Sequence, residues 1–99
     1  MDTDKRIKKI EECLKKGNFE KARAYTNDFE NLTFYIKAGY LFKQYRQWSD
    51  SVNLFKKALK KDSRNKIIKQ EIEFLMEILK LEQLDIYAST NLNKDPWLN

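Results

Sequence analysis

The chain has no histidine, one cysteine, one proline and two glycines in 99 residues. Without histidine it lacks the commonest general base, triad partner and zinc ligand. A single cysteine, Cys13, cannot form an internal disulfide, which fits a reducing, cytoplasmic setting. So few glycines and prolines argue against an all-β fold, which needs many turns. No apolar run is long enough for a bilayer, and Met1-Asp-Thr-Asp-Lys lacks the layout of a signal peptide. Gly-rich phosphate loops and acidic metal loops are also missing. No catalytic residue, metal site or cofactor is expected, and the chain reads as a non-enzyme.

What is present is amphipathic helix. Hydrophobic residues make up 41% and charged residues 35%, enough for one small domain with a solvated exterior. In the stretch Tyr35–Ser63, Tyr35, Ala38, Gly39 and Phe42 share one helical face. Trp48, Val52, Phe55 and Leu59 share another, because residues three and four apart are neighbours on a helix. The polar KQYRQ between them predicts a turn, hence a helical hairpin. Upstream, Ile7, Ile10, Cys13 and Leu14 trace a stripe that begins near an N-cap at Thr3 or Asp4 and stops at Gly17-Asn18. Phe19, Ala22, Tyr25, Thr26 and Phe29 carry the next helix. After an N-cap at Ser63 or Asn65, Ile68, Ile72, Leu75 and Leu79 form a stripe that closes the core. Ile67, Phe74, Ile78 and Leu81 form a second, surplus stripe, available to the C-terminal tail, a second copy or a ligand. In the tail, Ser89-Thr90-Asn91 predicts a turn and Asp95-Pro96 an extended stretch, with Trp97 docked on the body or a neighbour.

The central hairpin resembles a tetratricopeptide repeat (TPR), whose pattern is W-x2-L-G-x2-Y, then A-x3-F, then a late Pro. Here the pattern reads Tyr35-x2-Ala38-Gly39-x2-Phe42, then Ser51-x3-Phe55, then Ala58, with Ser63 near the place of the Pro. Ala38, Ser51 and Ser63 depart from it, and Arg46 stands where a turn glycine is common. Gly17-x-Phe19-x2-Ala22 matches Arg46-x-Trp48-x2-Ser51 at an offset of 29 residues. That is shorter than the family's period of about 34, so the second helix of the first repeat is expected to be trimmed. The resemblance implies an all-α fold of about five helices, antiparallel hairpins stacked as a short TPR-like α-solenoid. One domain spans residues 1–99: a degenerate first repeat (3–30), a central repeat (32–63), a closing helix (64–81) and a tail (82–99).

TPR domains bind peptides or short helices in a concave groove lined by the first helix of each hairpin. The resemblance therefore implies a non-enzymatic adaptor for a protein or peptide partner. Its groove is expected at Thr33, Ile36, Tyr40, Lys43 and Gln44 in the central repeat, and at Ile67, Gln70, Phe74 and Ile78 in the closing helix. Homodimerisation through the closing helix or the tail is a further expectation, because arrays usually need three repeats for stability. Other readings are a secretion-type chaperone or a self-assembling structural protein. The net charge of +5 raises nucleic-acid binding through Lys56, Lys57, Lys60 and Lys61. Paired lysines alternating with apolar residues are more simply the wet faces of helices, and no membrane association is expected.

Overall fold

A computed structural model describes residues 3–92, and side chains for residues 3–83. The described chain is all-α, with five helices: α1 (Thr3–Lys15), α2 (Phe19–Ala24), α3 (Leu32–Gln44), α4 (Trp48–Lys61) and α5 (Lys66–Leu92). No strand occurs among the described residues, and no helix there is long and apolar enough to cross a membrane.

Two turns between helices are the same motif. After α1, the Asn18 N–H bonds the Cys13 carbonyl and the Gly17 N–H bonds that of Leu14. After α3, the Gln47 N–H bonds the Phe42 carbonyl and the Arg46 N–H bonds that of Lys43. Both are Schellman closures, which satisfy orphan carbonyls by turning one residue left-handed. That residue is Gly17 at φ 76° in the first and Arg46 at φ 60° in the second. The residues starting the next helix also match, with Asn18 at φ −90°, ψ 74° and Gln47 at φ −89°, ψ 73°. The correspondence of Gly17 with Arg46 is thus real at the level of the backbone, with arginine held where glycine is at ease.

Asparagine side chains also cap α3 and α5. The Asn31 side chain accepts from the Phe34 N–H and that of Asn65 from the Ile68 N–H. Of the two caps expected before α5, Asn65 is the one used, and it lies 34 positions after Asn31. At the other end of the chain α1 already includes Thr3, so neither Thr3 nor Asp4 precedes the helix as an N-cap.

The core runs through all five helices: Ile10, Cys13 and Leu14 of α1, Ala22 of α2, Phe34, Ala38 and Phe42 of α3, Val52, Phe55 and Ala58 of α4, and Ile68 and Leu75 of α5. Cys13 is a buried core thiol. α3 and α4 are antiparallel and very close. A Cβ at Gly39 would stand 2.9 Å from the Phe55 ring, and the Ser51 hydroxyl donates to the Gly39 carbonyl at 2.7 Å. α5 runs antiparallel to α4, and near its far end the Trp48 Nε1–H donates to Glu82 Oε2 at 3.0 Å.

Ion pairs join alternate helices. Asp4 of α1 meets Lys37 of α3 at 3.2 Å, and Lys43 of α3 meets Glu71 of α5 at 2.7 Å. In the other layer, Arg23 of α2 grips Asp50 of α4 through Nε at 2.7 Å and Nη2 at 3.1 Å. The Asp50 carboxylate, through that hydrogen bond and its charge, holds the Arg23 guanidinium above its ordinary pKa.

α2 is trimmed, as the 29-residue offset implied, and ends before the stripe to Phe29 does, while α5 runs longer than expected. α2 stops at Ala24, and Tyr25–Asp28 form a turn in which Thr26 Oγ1 donates to the Arg23 carbonyl. Tyr25, Thr26 and Phe29 still reach the core from that turn. α5 continues past Leu81 to Leu92, through Ser89-Thr90-Asn91, where a turn was expected. The local turn preference of Ser, Thr and Asn is weak against an established helix. The expectations for Asp95-Pro96 and Trp97 lie outside the described residues.

Candidate functional site

Of the nine residues expected along a groove, Tyr40, Lys43 and Phe74 come together. Lys43 projects from α3, with its ammonium 4.9 Å from the Phe74 ring centre and 5.7 Å from that of Tyr40. Its ion pair with Glu71 crosses from α3 to α5 beside these rings. Both charged side chains are largely covered, 28% and 19% exposed, so the pair is less screened than an open surface bridge. The Tyr40 ring meets Phe55 edge-on at 5.1 Å while remaining 39% exposed. Burial first, and then the Glu71 carboxylate, raise the Tyr40 phenol above its ordinary pKa.

The other six are distributed differently. Ile36 and Ile78 are half-buried and pack against the core. Thr33, Gln44 and Gln70 are exposed, as is Ile67 at 64%. Three of the four residues of the surplus stripe of α5 therefore form an open apolar row, since Phe74 is 53% and Leu81 57% exposed, while Ile78 turns to the core. The core stripe beside it is covered, Ile68 and Leu75 fully and Ile72 and Leu79 in part.

Glu71 was not among the residues expected at the site. Its position between Ile67 and Phe74 was the available signal: a carboxylate on the edge of an apolar stripe meets whatever flanks that stripe. Phe55 was placed on the apolar face of its helix, and it also meets the Tyr40 ring.

Hollows form elsewhere on the molecule. One of about 490 Å³ lies at the α3–α4 turn, lined by Arg23, Arg46, Trp48, Asp50, Leu79 and Glu82 among others. Another, of about 450 Å³, is bounded by Asn27, Glu30, Tyr35, Lys57, Lys60 and Lys61. Lys57 stands 6.0 Å over the Tyr35 ring, and burial, with Glu30 adding, raises the Tyr35 phenol pKa. Among the described residues no group of three or more acidic, cysteine or histidine side chains is placed to hold a metal. No family model, curated protein or solved structure matches the chain.

Proposed function

We propose that the protein is a non-enzymatic binding module, a small TPR-like adaptor whose α3–α5 face takes an apolar segment of another polypeptide. The observation that carries this reading is the open row of Ile67, Phe74 and Leu81 beside Tyr40 and Lys43. Such a row leaves apolar area in water, and covering a side chain like Phe74 or Ile67 contributes roughly 1–2 kcal/mol each. Lys43 is already neutralised by Glu71, so the segment need not bring an acid. A helix or extended strand with apolar anchors suits the face. A reducing compartment such as the cytoplasm suits the single buried thiol.

The basic face of α4 has weaker support. Lys56, Lys57, Lys60 and Lys61 are exposed, but three of them share their hollow with the Glu30 carboxylate, which repels phosphate.

The test is the double variant Ile67→Ala/Phe74→Ala. Both side chains are mostly in solvent, so helical circular dichroism and Tm should stay close to wild type while capture of partners from the source cell is lost. Undiminished capture of the same partners by the folded variant would refute the reading.

A further inference from the structure

We infer that Tyr40, Glu71 and Phe74 form a receptor for a basic side chain of the bound segment, and that Lys43 occupies it until that segment arrives. This rests on the proposed binding face and names the polar group its partner brings. Glu71 Oε1 accepts from the Lys43 ammonium at 2.7 Å. The same ammonium stands 4.9 Å from the Phe74 ring centre and 5.7 Å from that of Tyr40. Rings attract a cation within about 6 Å of their centres, so one carboxylate and two aromatic rings from α3 and α5 converge on a single positive charge.

The receptor is built without Lys43. Glu71 and Phe74 lie three positions apart on α5, as neighbours on one side of the helix. The Tyr40 ring is set from α3 by its edge-on contact at 5.1 Å with the fully buried Phe55. Lys43 instead reaches the acid on a flexible four-carbon stem, and both rings keep open surface. A side chain arriving over them meets the same three groups. The charge it carries follows from Glu71, which is largely covered. An incoming carboxylate that drew Lys43 away would leave that covered acid without its cation, a costly arrangement. An incoming guanidinium or ammonium exchanges one cation for another and keeps Glu71 paired throughout. Arginine gains further, since its planar group takes both carboxylate oxygens and stacks on a ring. The exposed Ile67 and Leu81 lie seven positions before and after Phe74, so apolar residues on both sides of the basic one complete the segment.

The probes are Nα-acetyl-arginine amide and its uncharged counterpart Nα-acetyl-citrulline amide, used on the full chain. Lys43→Met removes the internal occupant and keeps an apolar stem. The arginine probe should bind this variant at least about tenfold more tightly than wild type, in which only the fraction with Lys43 displaced is open. Ring resonances of Tyr40 and Phe74 report the binding. The citrulline probe should bind neither protein, and adding Glu71→Gln should abolish the gain. Lys43→Met also strands a covered carboxylate, so its Tm should fall, and about 10 mM arginine probe should recover part of the loss where citrulline does not. This second readout serves a marginally folded variant as well. Equal affinity of wild type and Lys43→Met, equal binding of the two probes, or a gain that survives Glu71→Gln would each overturn the inference. Partner capture lost in Ile67→Ala/Phe74→Ala, beside an arginine probe that fails on Lys43→Met, would sink the receptor alone and leave the binding module standing.

Discussion

Gly39 and Phe55 set how closely α3 and α4 approach. The aromatic ring occupies the space into which any side chain at residue 39 would project, and Phe55 is itself fully buried. Gly39→Ala should therefore destabilise the protein, although alanine is the better helix former by about 1 kcal/mol. Forcing a methyl against a packed ring costs about 1–3 kcal/mol, so chemical denaturation should give a net loss of about 1 kcal/mol. Phe55→Leu costs stability in wild type, but should cost less in the Gly39→Ala background, where it removes the clash. Additive effects in that double-mutant cycle would contradict the packing account. Ser51 belongs to the same contact, and its place on the helix was legible while its role was not. A small residue there was what the resemblance to the repeat pattern implied, but the hydrogen bond to the Gly39 carbonyl depends on an interhelical distance that no pattern of residue types encodes. The same limit applies at Arg46. Its alignment with Gly17 was readable, whereas the left-handed backbone follows from the turn that closes α3 and not from any preference of arginine.

At the scale of the helix, α5 carries two apolar stripes with different fates. Ile68 and Leu75 are buried against the hairpin and Ile67 and Phe74 stand in solvent, although the four residues are alike in hydrophobicity. Ile68→Ala or Leu75→Ala should cost about 2–5 kcal/mol by leaving a cavity. Ile67→Ala should stay within about 0.5 kcal/mol, as surface changes do. Thermal or denaturant unfolding of the three single variants decides this, and equal losses would mean that both stripes are covered. The periodicity distinguished the two stripes because they lie about a third of a turn apart around one helix. It could not place the end of α5, because helix propagation across Ser89-Thr90-Asn91 outweighs residue preferences that differ by only tenths of a kcal/mol. For α2 the trimming implied by the 29-residue offset occurs, although the apolar stripe to Phe29 suggested a longer helix, because Tyr25, Thr26 and Phe29 reach the core from a turn as well as they would from a helix.

Over the whole molecule, two tyrosines couple stability to alkali. Burial raises the pKa of both Tyr35 and Tyr40 in the folded protein, with Glu30 adding to the first and Glu71 to the second. A phenol whose folded pKa exceeds its unfolded value of about 10 keeps its proton longer when folded. Its stabilising contribution is complete below that pH and is lost as the pH rises through the folded pKa. Tm should therefore fall above about pH 10, and Tyr35→Phe should flatten part of that fall. A Tm–pH profile of the variant identical to wild type across that range would count against the coupling. At this scale the sequence carried the all-α class and the helix count. The ion pairs that join α1 to α3 to α5 and α2 to α4 were not readable, since each needs two helices already in place.

The indole of Trp48 deserves a use of its own. It begins α4 yet holds Glu82 late in α5, so it straddles the seam between hairpin and closing helix. If α5 peels away while α3 and α4 stay together, that ring loses its carboxylate and meets water, and its emission shifts to longer wavelength. In a Trp97→Phe background, which silences the other indole, the protein thus carries its own optical gauge for detachment of one helix. Partial opening becomes visible in a chain that circular dichroism alone would report as still helical.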